Sequence, residues 1–381
     1  MSLEIRAAVL HERGLPRPYA DSRPLRVETL ALDPPGAGEV LVRVRAAGLC
    51  HSDLSVINGD RPRPVPMALG HEAAGEVVQA GPGVDDLAPG DHVVLVFVPA
   101  CGHCAYCVAG RPALCAPGNA ANVAGELIGG GRRLHRGDEP VHHHLGVSCF
   151  ADHAVVSRHS CVRVDPALAF EHAALFGCAV LTGVGSVVNT ARLGPGASVA
   201  VIGLGGVGLN AVLAARLVGA ARIVGLDLLD DKLALARDLG ASDTFDAAAA
   251  GVTERVRAAT DGGVDCAIDF TGSVQALELA YAITRRGGTT VTGGLAHPDH
   301  RVSIQQASLV AEERTLRGSY VGSCIPARDV PRFVELFGQG RLPVDRLLDR
   351  RIERLEDLNA AFDALADGHV VRQVLLPPDP A

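Results

Sequence analysis

One stretch constrains the fold more than any other. Residues 198–208 read SVAVIGLGGVG: a short apolar strand runs into Gly203-Leu204-Gly205-Gly206-Val207-Gly208, and an apolar helix then extends to Val218. This is the GxGxxG pattern in the strand–turn–helix context that it requires. Gly203 allows the tight turn, Gly205 lets the backbone approach a pyrophosphate, and Gly208 lets helix and strand pack closely. The helix N-terminus at Gly206 and Val207 offers free N–H groups to phosphate. Asp227 ends the next strand, nineteen residues after Gly208, where a carboxylate accepts a hydrogen bond from an adenosine ribose and repels a 2′-phosphate. The reading is therefore NAD rather than NADP. A purely structural glycine turn competes with it, but strand, turn, helix, strand and acid together weigh against that.

The periodicity around this motif extends the pattern. Strand-like runs at 222–226, 264–270 and 289–292 alternate with helical stretches at 230–239, 274–283 and near Leu309. Such alternation predicts a doubly wound parallel sheet. Before about residue 180 the runs are different: 39–44, 75–78 and 92–98 are β-like and broken by Pro and Gly, which predicts a β-rich domain with loops. The tail carries helices near 329–337 and 355–365 and a last strand at 370–376. At 381 residues the chain suits two domains.

Composition excludes several classes. Hydrophobic residues make up 48% and charged ones 20%, as in folded globular chains rather than disordered ones. The net charge of −8 argues against a general nucleic-acid binder, which displays a basic face. With no Trp and only 3% aromatics, the core has to be built from Val, Leu, Ile and Ala. Residues 199–215 approach the length of a membrane span, but four glycines within six residues fit a turn better. The first fourteen residues contain no signal-like apolar run, so a cytoplasmic location and no membrane partner are expected.

Ten cysteines give the next signal. Cys101, Cys104, Cys107 and Cys115 fall within fifteen residues. In a reducing compartment, clustered thiols point to metal rather than disulfides. Four thiolates closing around one ion leave no open position, the pattern of structural zinc. An iron–sulfur cluster and a nucleic-acid zinc ribbon are the alternatives. The first lacks the closing Cys-Pro of the bacterial ferredoxin run, and the second sits badly with an acidic chain. A dispersed set also stands out: Cys50, then His71 with Glu72 beside it, then Cys178. Two thiolates and an imidazole make an open three-ligand site. Spacing alone does not bring them together, and a lone Cys is more often a small core residue.

Gly48-Leu49-Cys50-His51-Ser52-Asp53, Gly70-His71-Glu72-Ala73-Ala74-Gly75, the four-cysteine run, Phe176-Gly177-Cys178 and the GLGGVG turn occur in the order and spacing of the medium-chain zinc-dependent alcohol dehydrogenases. The chain closely resembles the longer two-zinc, class I and III type from about residue 35 to Arg372. Residues 119–146 look like that group's extra loop. The resemblance implies an α/β protein: a β-rich GroES-like catalytic domain (1–179 and 323–381) and a doubly wound Rossmann domain (180–322).

The resemblance also assigns roles. Cys50, His71 and Cys178 match the catalytic zinc ligands, and the four-cysteine set matches the structural zinc, giving two ions per chain. Glu72 matches an acid that can approach the ion, and Asp53 a carboxylate that orients His71. Ser52 matches the hydroxyl that takes the substrate proton, and His51 a pyrophosphate contact. Lys232 and Arg372 look like further cofactor contacts, Thr182 a neighbour of the nicotinamide, and Phe97 and Leu145 walls of the substrate pocket. Where relatives close the proton relay with a His, this chain has Ser55. Arg61 also sits in a loop that often carries an apolar pocket residue.

The implied activity is reversible hydride transfer between an alcohol, giving an aldehyde or ketone, and NAD. A polyol dehydrogenase, a thiol-adduct formaldehyde dehydrogenase and a non-catalytic nucleotide-binding protein are the alternatives. The resemblance implies a homodimer, since relatives with the long loop are usually dimers, and an uncovered sheet edge between 287 and 321 also favours strand addition.

Overall fold

The strand–turn–helix at 198–217 lies at the centre of a six-stranded sheet in which every neighbouring pair is parallel. In the computed structural model, which describes residues 2–377, the strands run in the order Asp243–Asp246, Arg222–Asp227, Ser198–Ile202, Val264–Asp269, Thr284–Thr292 and Thr315–Gly318. Numbered along the chain this is 3-2-1-4-5-6, the doubly wound dinucleotide-binding order. The inner stretches of its central strands, 199–202 and 266–268, are apolar and buried, as a sheet covered on both faces demands. Ala200, Ile202, Val224, Leu226, Ala267 and Ile283 form its core.

This sheet belongs to a unit formed by Ala179–Cys324 and Leu336–Val344. The other unit contains the residues up to Cys178, Ile325–Glu335 and the tail from Asp345. The tail thus contributes to both units, with Leu336–Val344 on the nucleotide-sheet side rather than with the domain to which the sequence reading gave all of 323–381. Leu342 and Val344 in that segment are buried apolar residues.

The first unit holds two β structures. Leu3–Leu10, Leu25–Leu32, Leu134–Arg136, Glu139–His143 and Met67–Ala68 close into a small barrel around Ile5, Val9, Leu30, Leu134 and Val141. A seven-stranded sheet has Glu39–Gly48 near its middle, paired with Glu72–Ala80, His153–Ser157 and the late strand Arg372–Leu375. A strand from the end of the chain is therefore built into a sheet made mostly of its first half.

Two local readings change. The apolar run 92–98 is a strand only over His92–Leu95. The N–H of Val96 donates to the carbonyl of Ser160, next in register on the neighbouring strand, and Phe97 and Val98 then lie on a buried loop before Pro99. Residues 119–146 are largely structured: the helix Ala116–Ala124 is followed by a hairpin of Leu134–Arg136 and Glu139–His143. The hairpin sequence has no apolar alternation. Its strands are set by pairing with Leu25–Leu32 and Met67–Ala68 rather than by local pattern. Among the described residues, no single helix is long and apolar enough to cross a membrane.

Candidate active site and metal centres

Three segments deliver the dispersed set. The strand Glu39–Gly48 ends just before Cys50, which caps the short helix His51–Ile57 in extended conformation. His71 precedes the strand Glu72–Ala80, after Gly70 at φ +92°. Any Cβ at Gly70 would press on the amide of Phe150 at 2.5 Å and the sulfur of Cys149 at 2.8 Å, so the approach to His71 requires glycine. Cys178 follows the turn Leu175–Gly177. Gly48, paired with Glu72, would drive a Cβ into that carboxylate.

The result is a buried cluster. One donor atom each from Cys50, His71 and Cys178 lies within 4.8 Å of the others. His71 Nδ1 stands 3.0 Å from Asp53 Oδ1, and its Nε2 is buried without a hydrogen-bond partner. Contact with the Cys178 sulfur, helped by His71 and Arg372, holds the Cys50 thiol well below its ordinary pKa despite burial. Burial opposes charge on His71, but Asp53 and the Cys50 sulfur outweigh it and raise the imidazole to about 10. An unpartnered ring nitrogen beside an activated thiol and a second thiol fits zinc with Cys₂His ligation, the dication taking the place of the Nε2 proton. Asp53 stands where it fixes the tautomer of His71.

Two neighbours bear on this cluster. The Phe97 ring meets His71 edge to face, with centroids 5.1 Å apart. Leu145 is buried at φ +52°, an uncommon backbone for a residue with a side chain. Ser52 is half-buried and His51 exposed on the first turn of their helix. The Ser55 hydroxyl donates to the His51 carbonyl at 2.8 Å.

Arg372 is bonded within the first unit. It is buried, pairs with Glu72 Oε1 and donates from Nη1 to the Leu49 carbonyl at 3.2 Å. Glu72 Oε2 is buried without a hydrogen-bond partner.

The four cysteines also converge, with donor atoms within 4.8 Å of one another. Their own chain supplies amide donors to sulfur: Cys104 N–H to Cys101 Sγ at 3.3 Å, and Cys101 and Gly118 N–H to Cys115 Sγ at 3.3 and 3.4 Å. The amides of Cys107 and Ala116 lower the Cys104 thiol to about 6, while burial and the adjacent Cys104 sulfur push Cys107 up to about 12. Four sulfurs so close cannot all ionise unaided, and a bound dication removes that conflict. The donor set fits one closed, four-thiolate zinc.

In the second unit Gly203 has φ +84°, and a Cβ at Gly208 would overlap the Gly203 carbonyl oxygen. A Cβ at Gly205 would meet nothing within 4 Å, leaving open space above the start of the helix Gly206–Leu217. Asp227 accepts from the amides of Leu204, Leu228 and Leu229 at 2.6, 2.8 and 3.1 Å, so its charge is held in place at the turn. Thr182 and Lys232 are both buried, and the Thr182 carbonyl accepts from the Ser186 hydroxyl. This cradle fits a dinucleotide pyrophosphate.

Comparison with known proteins decides the family. Residues 36–166 match the model of the alcohol dehydrogenase GroES-like domain, and 206–339 that of the zinc-binding dehydrogenase. The chain belongs to the zinc-dependent alcohol dehydrogenases. It is 37% identical to the NDMA-dependent alcohol dehydrogenase of Amycolatopsis methanolica, over 98% of this chain and 99% of that one. It is 34% identical to the S-(hydroxymethyl)glutathione dehydrogenase of Paracoccus denitrificans, over 98% and 100%. The crystal structure of benzyl alcohol dehydrogenase from Acinetobacter calcoaceticus matches with a TM-score of 0.91 at 30% identity, over 99% and 100% of the two chains. As in this family, the fold joins a GroES-like domain to a parallel-sheet dinucleotide domain.

Two features of the site escaped the sequence reading. One is the buried Glu72–Arg372 pair. The other is His144, whose Nδ1 lies 3.1 Å from Asp53 Oδ1. A run of three histidines in a polar loop carries no spacing that singles one out.

Proposed function

We propose that the chain is an NAD-dependent dehydrogenase of small alcohols with two zinc ions, one in the Cys50–His71–Cys178 set and one in the four-cysteine lobe. The observation that carries the reading is the buried three-donor set with Asp53 behind His71, in a chain that also has a complete dinucleotide turn. When bound, zinc polarises the substrate oxygen and the nicotinamide takes up or gives the hydride.

The chain's own residues do the rest. Ser52, two positions after Cys50, accepts the proton of the substrate hydroxyl. Exposed His51 contacts the pyrophosphate and stands next in line for that proton, since the Ser55 hydroxyl is tied to a backbone carbonyl and cannot act as a base near neutral pH. Phe97 and Leu145 wall the alcohol pocket. Glu72, held through Oε1 by Arg372, keeps Oε2 for approach to the ion. The Gly203–Gly208 turn, Thr182 and Lys232 hold the dinucleotide, and Asp227 selects NAD by accepting from its ribose. Arg372 contributes through Glu72 and the Leu49 carbonyl.

The similarity to an S-(hydroxymethyl)glutathione dehydrogenase supports a second reading, oxidation of a thiol adduct of formaldehyde. Assembly as a homodimer is supported by the edge strand Thr315–Gly318, exposed along its whole length. The ligand-like spacing of Cys101, Cys104, Cys107 and Cys115 supports a reducing, cytoplasmic location.

One experiment tests the function: nicotinamide absorbance with a panel of primary alcohols, polyols and S-(hydroxymethyl)glutathione, with NAD and with NADP. Turnover of simple alcohols is expected with NAD, at an advantage of about 1–3 kcal/mol over NADP, the scale of an unpaired or opposed buried polar group. Equal efficiency with both cofactors counts against Asp227 as selector, and turnover confined to the thiol adduct replaces the first reading by the second.

A further inference from the structure

Asp53 serves two imidazoles. It is fully buried, and its Oδ1 lies 3.0 Å from Nδ1 of His71 and 3.1 Å from Nδ1 of His144. The Gly70 amide donates to the same oxygen at 3.3 Å. The His71 bond is well aligned. The His144 approach is off the line of a hydrogen bond, so His144 Nδ1 is buried without a partner, and so is Asp53 Oδ2. Two buried polar groups without hydrogen bonds therefore stand side by side, which is unfavourable for both. The terminal torsion of Asp is broad, and a modest turn of the carboxylate brings Oδ1 onto His71 and Oδ2 onto His144. A neutral imidazole has one N–H to donate.

The backbone around His144 is tied down for this purpose. Its amide donates to the Ser148 hydroxyl at 2.8 Å, and that hydroxyl donates to the Ala68 carbonyl at 2.8 Å. Leu145 and Ser148 both take φ +52°, a turn that side-chain-bearing residues hold only when neighbours fix it. The His144 ring meets His71 edge to face, with centroids 5.6 Å apart. The loop carrying the Leu145 pocket wall thus ends on the carboxylate behind His71.

We propose that His144 is a positioning residue: it donates from Nδ1 to Asp53, fixes the carboxylate that orients His71, and so governs how tightly the Cys50–His71–Cys178 set holds its metal. This rests on the reading of that set as a zinc site. Partners of this kind behind a ligating imidazole change metal affinity by about 10–100-fold.

The test is zinc release from the holoenzyme to dipicolinate, followed by metal analysis, for wild type and for His144→Phe, His144→Asn and His144→Gln. The circular dichroism spectrum and thermal midpoint report on folding in every variant, and the zinc of the four-cysteine lobe serves as the internal count. His144→Phe should lose the other zinc about 10–100-fold faster and shift the visible bands of the cobalt-substituted site. His144→Asn, which puts an amide nitrogen where Nδ1 stands, should release zinc like wild type, and His144→Gln should resemble Phe. If His144→Phe does not accumulate folded, the Asn and Gln pair decides alone. Release at the wild-type rate from His144→Phe, or equal release from Asn and Gln, overturns the inference. A wild-type chain carrying only one zinc overturns the site reading itself, and the inference with it.

Discussion

Cys101, Cys104, Cys107 and Cys115 come from fifteen consecutive residues, and only the last is buried, whereas Cys50, His71 and Cys178 come from three distant segments and all are buried. The first cluster makes its own environment: neighbouring amides bond its sulfurs, and no strand of either sheet is needed to gather them. The second exists only because Glu39–Gly48 and Glu72–Ala80 are paired and Arg372–Leu375 is added beside them. Burial then obliges it to carry a retinue of charge: Asp53 behind His71, and Arg372 against Glu72. A cluster closed by local chain is suited to holding shape. One assembled by the fold, with three donors instead of four, is suited to taking a fourth ligand.

The strongest way to break this contrast is Cys178→Ala. Turnover should disappear while metal analysis still finds the zinc of the four-cysteine lobe, and retained activity would mean that Cys178 is not a ligand. The converse, Cys107→Ala, should empty the lobe and leave the pocket metallated. Its thermal midpoint should fall by about 10 °C or more, since each kcal/mol is worth about 2–4 °C in domains of this size. Unchanged melting would show the lobe to be dispensable.

Arg372→Ala sharpens the contrast without touching a donor atom. It leaves a buried carboxylate uncompensated, which should cost about 3–5 kcal/mol in urea unfolding, with Arg372→Lys intermediate. A change within experimental scatter would place Glu72 in contact with water. Ser52→Ala should lower turnover about 100-fold or more at full zinc content. Normal turnover would remove Ser52 from the proton path. The smallest effect belongs to Ser55→His, which should raise alcohol oxidation at pH 6–7 by a small factor, on the order of a few-fold, where proton release limits the rate. A companion His51→Gln should weaken NAD binding. Intact NAD affinity with slower proton release would make His51 the relay base.

The same contrast separates what was legible in the sequence from what was not. The four-cysteine run and the GLGGVG turn are local, so their residues and spacing already contain their geometry. The parallel sheet was legible for a related reason, because the inner stretches of its strands, such as 199–202 and 266–268, are buried and read as apolar. Cys50, His71 and Cys178 are joined by pairing across the chain, and only resemblance to a family linked them before the structure did. The Glu72–Arg372 pair and the His144 approach to Asp53 depend on side chains 300 and 91 positions apart. The hairpin at 134–143 was illegible because its partners, not its own alternation, make it a strand pair.

The late strand Arg372–Leu375 has a consequence for the chain as it is made. Cys178 leaves the ribosome 194 residues before Arg372. At about 5–20 residues per second, that interval is about 10–40 s. During it the first unit lacks the strand that finishes its sheet and the guanidinium that neutralises Glu72, and by its last part the whole nucleotide sheet has been synthesised. The nascent molecule therefore passes through a stage with an intact dinucleotide half and an unfinished thiol pocket. The four-cysteine lobe, needing nothing downstream, is ready for its ion at the start of that wait. The order of assembly thus runs from the lobe to the nucleotide sheet, and the pocket comes last.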